Sequence, residues 1–307
     1  MEIESFLLYL KNVKRYSLST LIAYKEDLIQ FVEFCEKIEK IDEWTEVTLN
    51  VVRHFEVALI SGEYYTLLQL ATKPKPLAAS SVRRKLSSLR AFFRYQMHEG
   101  VLLSDPTENV ILPKINKKLP VFIVDYQMDE LLDKEKKDKI DFSFFRDFMF
   151  LMIAYCTGMR RSELARLKLE DFDLKAASVR VVGKGDKQRI LPLLKELKDE
   201  IQFYLVEREK RVQGKHAFFF ITDVGSPVND KYIYRHVKKH LEDITPLSKR
   251  SPHVLRHSFA TALLNHGACS EAIRKLLGHS SLAATQVYAH NSFENLKRFY
   301  NQAHPRA

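Results

Sequence analysis

The chain has 307 residues, 46% of them hydrophobic and 29% charged, enough to bury a sizeable core, and its length suggests two domains. It lacks any uninterrupted apolar run of the ~18 residues that read as a membrane span, and its start, MEIESFLLYLKNVKRY, has neither the basic opening nor the small-residue cleavage site of a secretory signal. The 49 Lys and Arg against 39 Asp and Glu leave a net charge of +10, which attracts nucleic acid through counterion release, although many basic proteins never touch it.

Three scattered cysteines, Cys35, Cys156 and Cys269, show no metal-type pairing and fit a reduced, cytoplasmic protein. In chain order, the first hundred residues read as helical. Ile3, Phe6, Leu7 and Leu10 share one side of an opening amphipathic helix. Ser19 is placed to cap the next, in which Leu21, Tyr24, Leu28, Phe31 and Cys35 recur at helical spacing. A third helix covers Thr48 to Ile60, and Gly62, Pro74 and Pro76 turn the following stretch into a loop in its latter part. In SSVRRKLSSLRAFFRYQM, Val82, Leu86, Leu89, Phe93 and Met97 form an apolar stripe. Beside it run Arg83, Ser87, Arg90 and Arg94, a cationic stripe that could follow DNA phosphates or simply be solvated.

The segment DPTENVILPKINKKLP carries three prolines and a basic end. It divides the chain into an expected helical domain at 1–112, a basic linker at 113–120 and a second domain at 121–307. In the second domain, Phe142 to Thr157 reads as a buried helix ended by Gly158. The β-like runs SVRVV and QRILPL flank GKGDK as a hairpin, with FFFI as a further strand. From Asn229 onward the pattern returns to helix. The expected fold class is therefore mainly α, with a small antiparallel β-sheet in the second domain.

Four ordered segments, TGMRRSEL, GKG, SPHVLRH and LLGHSSLAATQVYAH, resemble the boxes of the tyrosine recombinase (phage-integrase-like) family. Those boxes read TG-x-R-x-S-E-L, GKG, H-x-x-R-H and LGH followed by a tyrosine. Within the family the chain is most similar to the Xer group of bacterial chromosome-dimer resolvases, from FLLYLKNVKRYSLSTLIAYKEDLIQF to the terminal HPRA. The resemblance implies a SAM-like core-DNA-binding domain followed by a catalytic domain. It assigns Arg160, Lys184, His253, Arg256, His279 and Tyr288 to the active site, with Glu163 in support. It further implies cleavage and rejoining of double-stranded DNA through a 3′-phosphotyrosine, at a dif-like site, with no metal or other cofactor. The implied partners are DNA, a second Xer-type recombinase in a homo- or hetero-tetramer, and an FtsK-type DNA translocase. Two features depart from the family pattern: Arg161, where an aliphatic residue is commoner, and a longer segment between Tyr64 and Pro76.

The chemistry asks for these residue types. A phosphodiester under attack gathers charge on its non-bridging oxygens, and the planar guanidinium fork meets such oxygens with two hydrogen bonds. A phenol with a pKa near ~10 needs a proton acceptor, and histidine titrates in the right range. Ser251 and Pro252 mark a helix start, which puts His253 in a first turn whose free amides favour an anion.

Taken singly, each residue has a plainer reading. Lys184 is a solvated turn lysine, Glu163 a surface acid and Tyr288 a half-buried core residue. His253 and His257, four apart, could share a metal, but no acidic residue stands between them in the required place. Rival functions are a strand-swivelling topoisomerase, the integrase of a mobile element, and a DNA-binding protein with a dead site. Helices that begin almost at residue 1 favour the Xer reading over an integrase with an added arm-binding module. After Tyr288, the residues Phe293, Leu296 and Tyr300 form a stripe expected to dock in a neighbouring subunit, with packing on its own domain as the alternative.

Overall fold

The computed structural model describes residues 1–115, 121–136, 141–183, 186–211, 217–242, 251–278 and 291–306, with only the backbone of 134–136 and 291–295. The chain forms two compact units, Met1–Lys118 and Leu119–Ala307. As expected, the described residues are mainly helical with one small antiparallel sheet.

The first unit holds α1 (Glu4–Asn12), α2 (Leu18–Phe34), α3 (Leu49–Ser61), α4 (Glu63–Leu67) and α5 (Ala79–His98). Ser17, not Ser19, caps α2 by accepting the Thr20 amide at 3.4 Å, because the helix already begins at Leu18 and leaves Ser19 inside its first turn. The core is aromatic: Phe6, Phe31, Phe34, Trp44, Phe55, Phe92 and Phe93 interlock, many of them edge to face. On α5 the apolar stripe buries Val82, Leu86, Leu89 and Phe93 but not Met97, which is exposed while Gln96 is buried. A period of 3.6 residues carries the inner face to position 96 as readily as to 97. Buried Asp27 of α2 then ties the two helices together, accepting from Lys85 at 2.9 Å, from Ser88 at 2.8 Å and from Arg84.

The second unit begins with α6 (Asp125–Lys136) and α7 (Phe142–Thr157). Every residue of α7 from Phe145 to Thr157 is buried, including Arg146, whose guanidinium donates to Asp223 at 2.7 Å and stacks over Tyr232. There follow α8 (Arg161–Leu164), β1 (Phe172–Asp173), β2 (Ser178–Val182), β3 (Gln188–Pro192), α9 (Lys195–Glu209) and α10 (Asp230–Glu242). The unit ends with α11 (Pro252–Asn265), α12 (Ser270–Leu277) and α13 (Asn291–Ala303). The sheet runs β1-β2-β3, all antiparallel, with Val181 opposite Arg189 and Val182 opposite Gln188. The run FFFI is not a strand. Only isolated bridges form there, between Lys168 and Phe218 and between Ile221 and Pro227. Arg208 takes the carbonyls of Phe218 (2.6 Å) and Phe219 (3.0 Å) that a ladder would have used.

Of the carboxyl-terminal stripe, Leu296 and Tyr300 pack on their own unit, the alternative the sequence left open, while the Phe293 side chain lies outside the described residues. Leu296 lies against the core and Tyr300 is 2% exposed, its hydroxyl donating to the Cys156 carbonyl. His304 sits in an aromatic nest of Tyr155, Phe259 and Tyr300. Arg306 donates to Glu196 (2.8 Å), Asp129 (2.9 Å) and Asp133 (3.3 Å).

Candidate active site

The apolar α7 delivers the chain to a sharp stop. Gly158 takes a left-handed conformation, φ +63°, and a β-carbon there would lie 2.4 Å from Phe259 and 3.0 Å from Leu277. Only glycine combines that backbone with that closeness. The turn releases Met159 and sets Arg160 at the N-cap of α8, whose third residue is Glu163.

Glu163 is the local hub. Its carboxylate, 3% exposed, accepts the Arg160 backbone amide (2.8 Å) and Arg160 Nη1 (2.8 Å). It also accepts a two-pronged pair from Arg189, Nη1 at 3.0 Å and Nη2 at 2.8 Å. Burial raises the Glu163 pKa, but hydrogen bonds and charge from Arg189, joined by those of Arg160, outweigh it and hold the group below its ordinary value. Arg161 turns elsewhere: it pairs with Asp230 at 2.8 Å and lies over the ring of Tyr234, both on α10. Arg160, and not Arg161, is thus the arginine held on the carboxylate hub.

Pro252 occupies the first turn of α11 after Ser251, as the sequence suggests, and carries His253 in that turn. One turn further, Arg256 is buried and donates Nη1 to the Gly158 carbonyl (2.6 Å) and Nη2 to the Leu277 carbonyl (2.7 Å). Burial and the neighbouring Arg160 lower its pKa to about 10, still a cation at neutral pH. Partial desolvation and the charges of Arg161, Arg256 and Arg160 lower the His253 imidazole from its ordinary value, so the ring is neutral near pH 7. Arg160, Arg161 and Arg256 thus all act on His253, and Glu163 offsets part of the charge on Arg256. Lys184, His279 and Tyr288 lie outside the described residues. Their flanks do not: Gly183 closes the base of the hairpin, donating to the Lys187 carbonyl at 2.8 Å, and Gly278 ends α12 in a left-handed conformation. His257 packs edge-on against Phe122, and among the described residues no group of three or more metal-type ligands assembles.

The cationic stripe of α5 divides. Arg83 and Arg94 are exposed, whereas Arg90 is half-buried and holds the loop after α5 by donating to the carbonyls of Thr107 (3.2 Å) and Val110 (2.7 Å). Arg83 also reaches the Pro113 carbonyl at 3.3 Å, and Arg94 approaches Asp105 at 4.0 Å. Two features escaped the sequence reading. One is Arg189, although period-two alternation puts it on the face of buried Leu191 while Ile190 points outward. The other is the basic face of α10, where Lys231, Arg235, Lys238 and Lys239 are all exposed. Among the described residues no helix is long and apolar enough to cross a membrane.

Arg160 at the start of α8 and Arg256 on α11, anchored on the end of α7 and of α12, gather positive charge beside His253, an arrangement that attracts an anion. Residues 122–295 match the family model of the phage integrase family, and residues 3–100 match that of the phage integrase N-terminal SAM-like domain. A tyrosine recombinase XerC of Thermodesulfovibrio yellowstonii is 36% identical over 312 residues, covering 99% of this chain and 96% of that one. A second, from Chlorobaculum parvum, is 32% identical over 325 residues, 99% of this chain and 94% of the other. The XerH site-specific recombinase bound to its difH substrate shares the fold, with TM-score 0.68 at 22% identity over 97% of this chain and 79% of that one. The chain belongs to the phage integrase family, the tyrosine recombinases. It is a site-specific recombinase, an enzyme that cuts and rejoins DNA.

Proposed function

We propose that this recombinase joins two short double-stranded DNA sites in a tetramer, with Tyr288 as the nucleophile, and resolves chromosome dimers at a dif-like site. The reading rests on one observation above all: Arg160, held by Glu163, and Arg256, held by the Gly158 and Leu277 carbonyls, come from separate boxes and gather beside His253. The two guanidinium groups meet the non-bridging oxygens of the scissile phosphate and stabilise the charge that gathers there. Tyr288 Oη attacks phosphorus as its proton passes to His253. The new Oη–P bond forms while the bond from phosphorus to the 5′-oxygen breaks, and Lys184 protonates that oxygen as it leaves. His279 hydrogen-bonds the phosphate. The 3′-phosphotyrosine retains the bond energy, so a second 5′-hydroxyl can reverse the step without metal or ATP.

The first unit serves as the core-DNA-binding domain and 113–120 as the basic linker. Arg83 and Arg94, with the exposed basic face of α10, are the cations assigned to meet phosphates. Arg90 contributes by holding its loop. A second Xer-type recombinase and an FtsK-type translocase are the proposed partners, and the compartment is the cytoplasm. The test is Tyr288→Phe on a nicked substrate that traps the covalent adduct. Loss of adduct with DNA binding retained supports the reading, and an adduct formed by the Phe variant rejects it. Sequencing the DNA recovered from wild-type adducts then identifies the site, and cleavage without site preference would mark a topoisomerase instead.

A further inference from the structure

We infer that Arg189 is a positioning residue for the cleavage step: it shares the charge of Glu163 and so leaves Arg160 cationic toward the phosphate. This rests on the function proposed above. Glu163 and Arg160 alone would form a neutral pair, with the carboxylate cancelling most of the guanidinium's attraction for an anion. The second guanidinium changes that balance. Arg160, Arg189 and Glu163 together carry a net charge of +1 (two cations, one anion), bound by four hydrogen bonds to one buried carboxylate.

Arg189 is 11% exposed, so its charge is screened little by solvent. Its geometry also touches the two segments that flank Lys184 and His279. Nε donates to the Leu276 carbonyl at 2.8 Å, in the last turn of α12. A β-carbon on Gly278 would lie 3.0 Å from Arg189 Cδ, so the glycine that precedes His279 is what admits the side chain. On the hairpin, a β-carbon on Gly183, the residue before Lys184, would lie 3.5 Å from Glu163 Oε1 and 3.7 Å from Arg189 Nη1. Arg189 therefore braces the Arg160 turn, the base of the hairpin and the end of α12 with one planar group. A lysine could supply the charge but not the fork and the third donor together.

Charge sharing by Arg189 has a consequence that a merely structural brace would not have. Full-length wild type, Arg189→Gln, Arg189→Lys and the double variant Arg189→Gln/Glu163→Gln are compared for single-turnover cleavage of the trapped-adduct substrate, DNA affinity and thermal midpoint. Arg189→Gln leaves Arg160 facing an unshared carboxylate, and cleavage should fall roughly 100-fold with affinity nearly unchanged. Arg189→Lys should lie between that variant and wild type. The double variant removes cation and anion together, restores the local charge to +1 and should recover about tenfold over Arg189→Gln.

A double variant no faster than Arg189→Gln overturns the charge-sharing role, as does an Arg189→Gln protein that cuts at the wild-type rate. Should Arg189→Gln fail to fold, Arg189→Met and its partner Arg189→Met/Glu163→Gln carry the same comparison, since they pass through the same local charges, 0 and +1, with an apolar side chain of similar reach. Absence of any adduct with wild-type protein would reject the underlying function instead, which keeps the two failures apart.

Discussion

Gly158 joins fold to chemistry, and replacing it by alanine tests both. The residue sits at φ +63°, where an L side chain costs roughly 1–2 kcal/mol. The added methyl would lie 2.4 Å from Phe259 Cδ1 and 2.8 Å from its Cε1, on a ring that is 1% exposed and has nowhere to retreat. Overpacking of that kind costs about 1–3 kcal/mol, for a total near 2–5 kcal/mol. The Gly158 carbonyl also receives Arg256 Nη1, so a backbone shift that relieves the clash moves the guanidinium off its anchor. Gly225→Ala is the control, since Gly225 shares the left-handed backbone (φ +80°) but has nothing within 4 Å of a built β-carbon. Urea denaturation of the full chain should show Gly158→Ala destabilised beyond Gly225→Ala by the overpacking cost alone. Trapped-adduct cleavage should be impaired only in Gly158→Ala. Equal stability of the two variants, or normal cleavage by Gly158→Ala, would refute the reasoning.

Arg256→Ala should slow cleavage by the equivalent of ~3–4 kcal/mol while site affinity falls far less, because many other cations still meet the DNA backbone; equal losses in both would make it a docking residue. Replacing Arg83 and Arg94 together by Ala should flatten the salt dependence of DNA binding by up to about one unit of slope for each phosphate no longer neutralised. Arg90→Ala should instead lower stability by freeing the loop it holds, and salt titrations with melting curves separate the two effects. Burial lowers the His304 imidazole to about 3, so the unfolded chain takes up that proton first as pH falls. Stability should therefore drop from pH 6.5 downward until the folded group itself titrates, and the loss attributable to His304 between pH 7 and pH 5 is about 2 kcal/mol. Urea midpoints of wild type and His304→Leu check it: the variant should lose less on acidification.

Much of this molecule was legible in order along the chain. Helical periodicity with glycine and proline stops set both ends of α7 and the start of α11, and alternation with a turn-rich centre set the β2–β3 hairpin, because these signals act within a few residues. The resemblance of its boxes to those of the family likewise implied Arg160, Glu163, His253 and Arg256 for the site. What the chain order could not decide was the use of each polar group once distant segments met. Arg90 and Arg94 stand in one stripe, yet loop carbonyls at 107 and 110 claim the first and leave the second exposed. Phe218 to Ile221 has strand composition, but Arg208 claims the carbonyls of Phe218 and Phe219, and Arg146 that of Ile221. Leu296 and Tyr300 fit any apolar groove, and the groove found is their own unit's, fixed by the Cys156 carbonyl and the carboxylates around Arg306. Arg189 gains its place from Glu163, 26 residues away, and Leu276, 87 away. Hydrogen-bond partners and desolvation are properties of the packed interior, so tertiary structure alone assigned them.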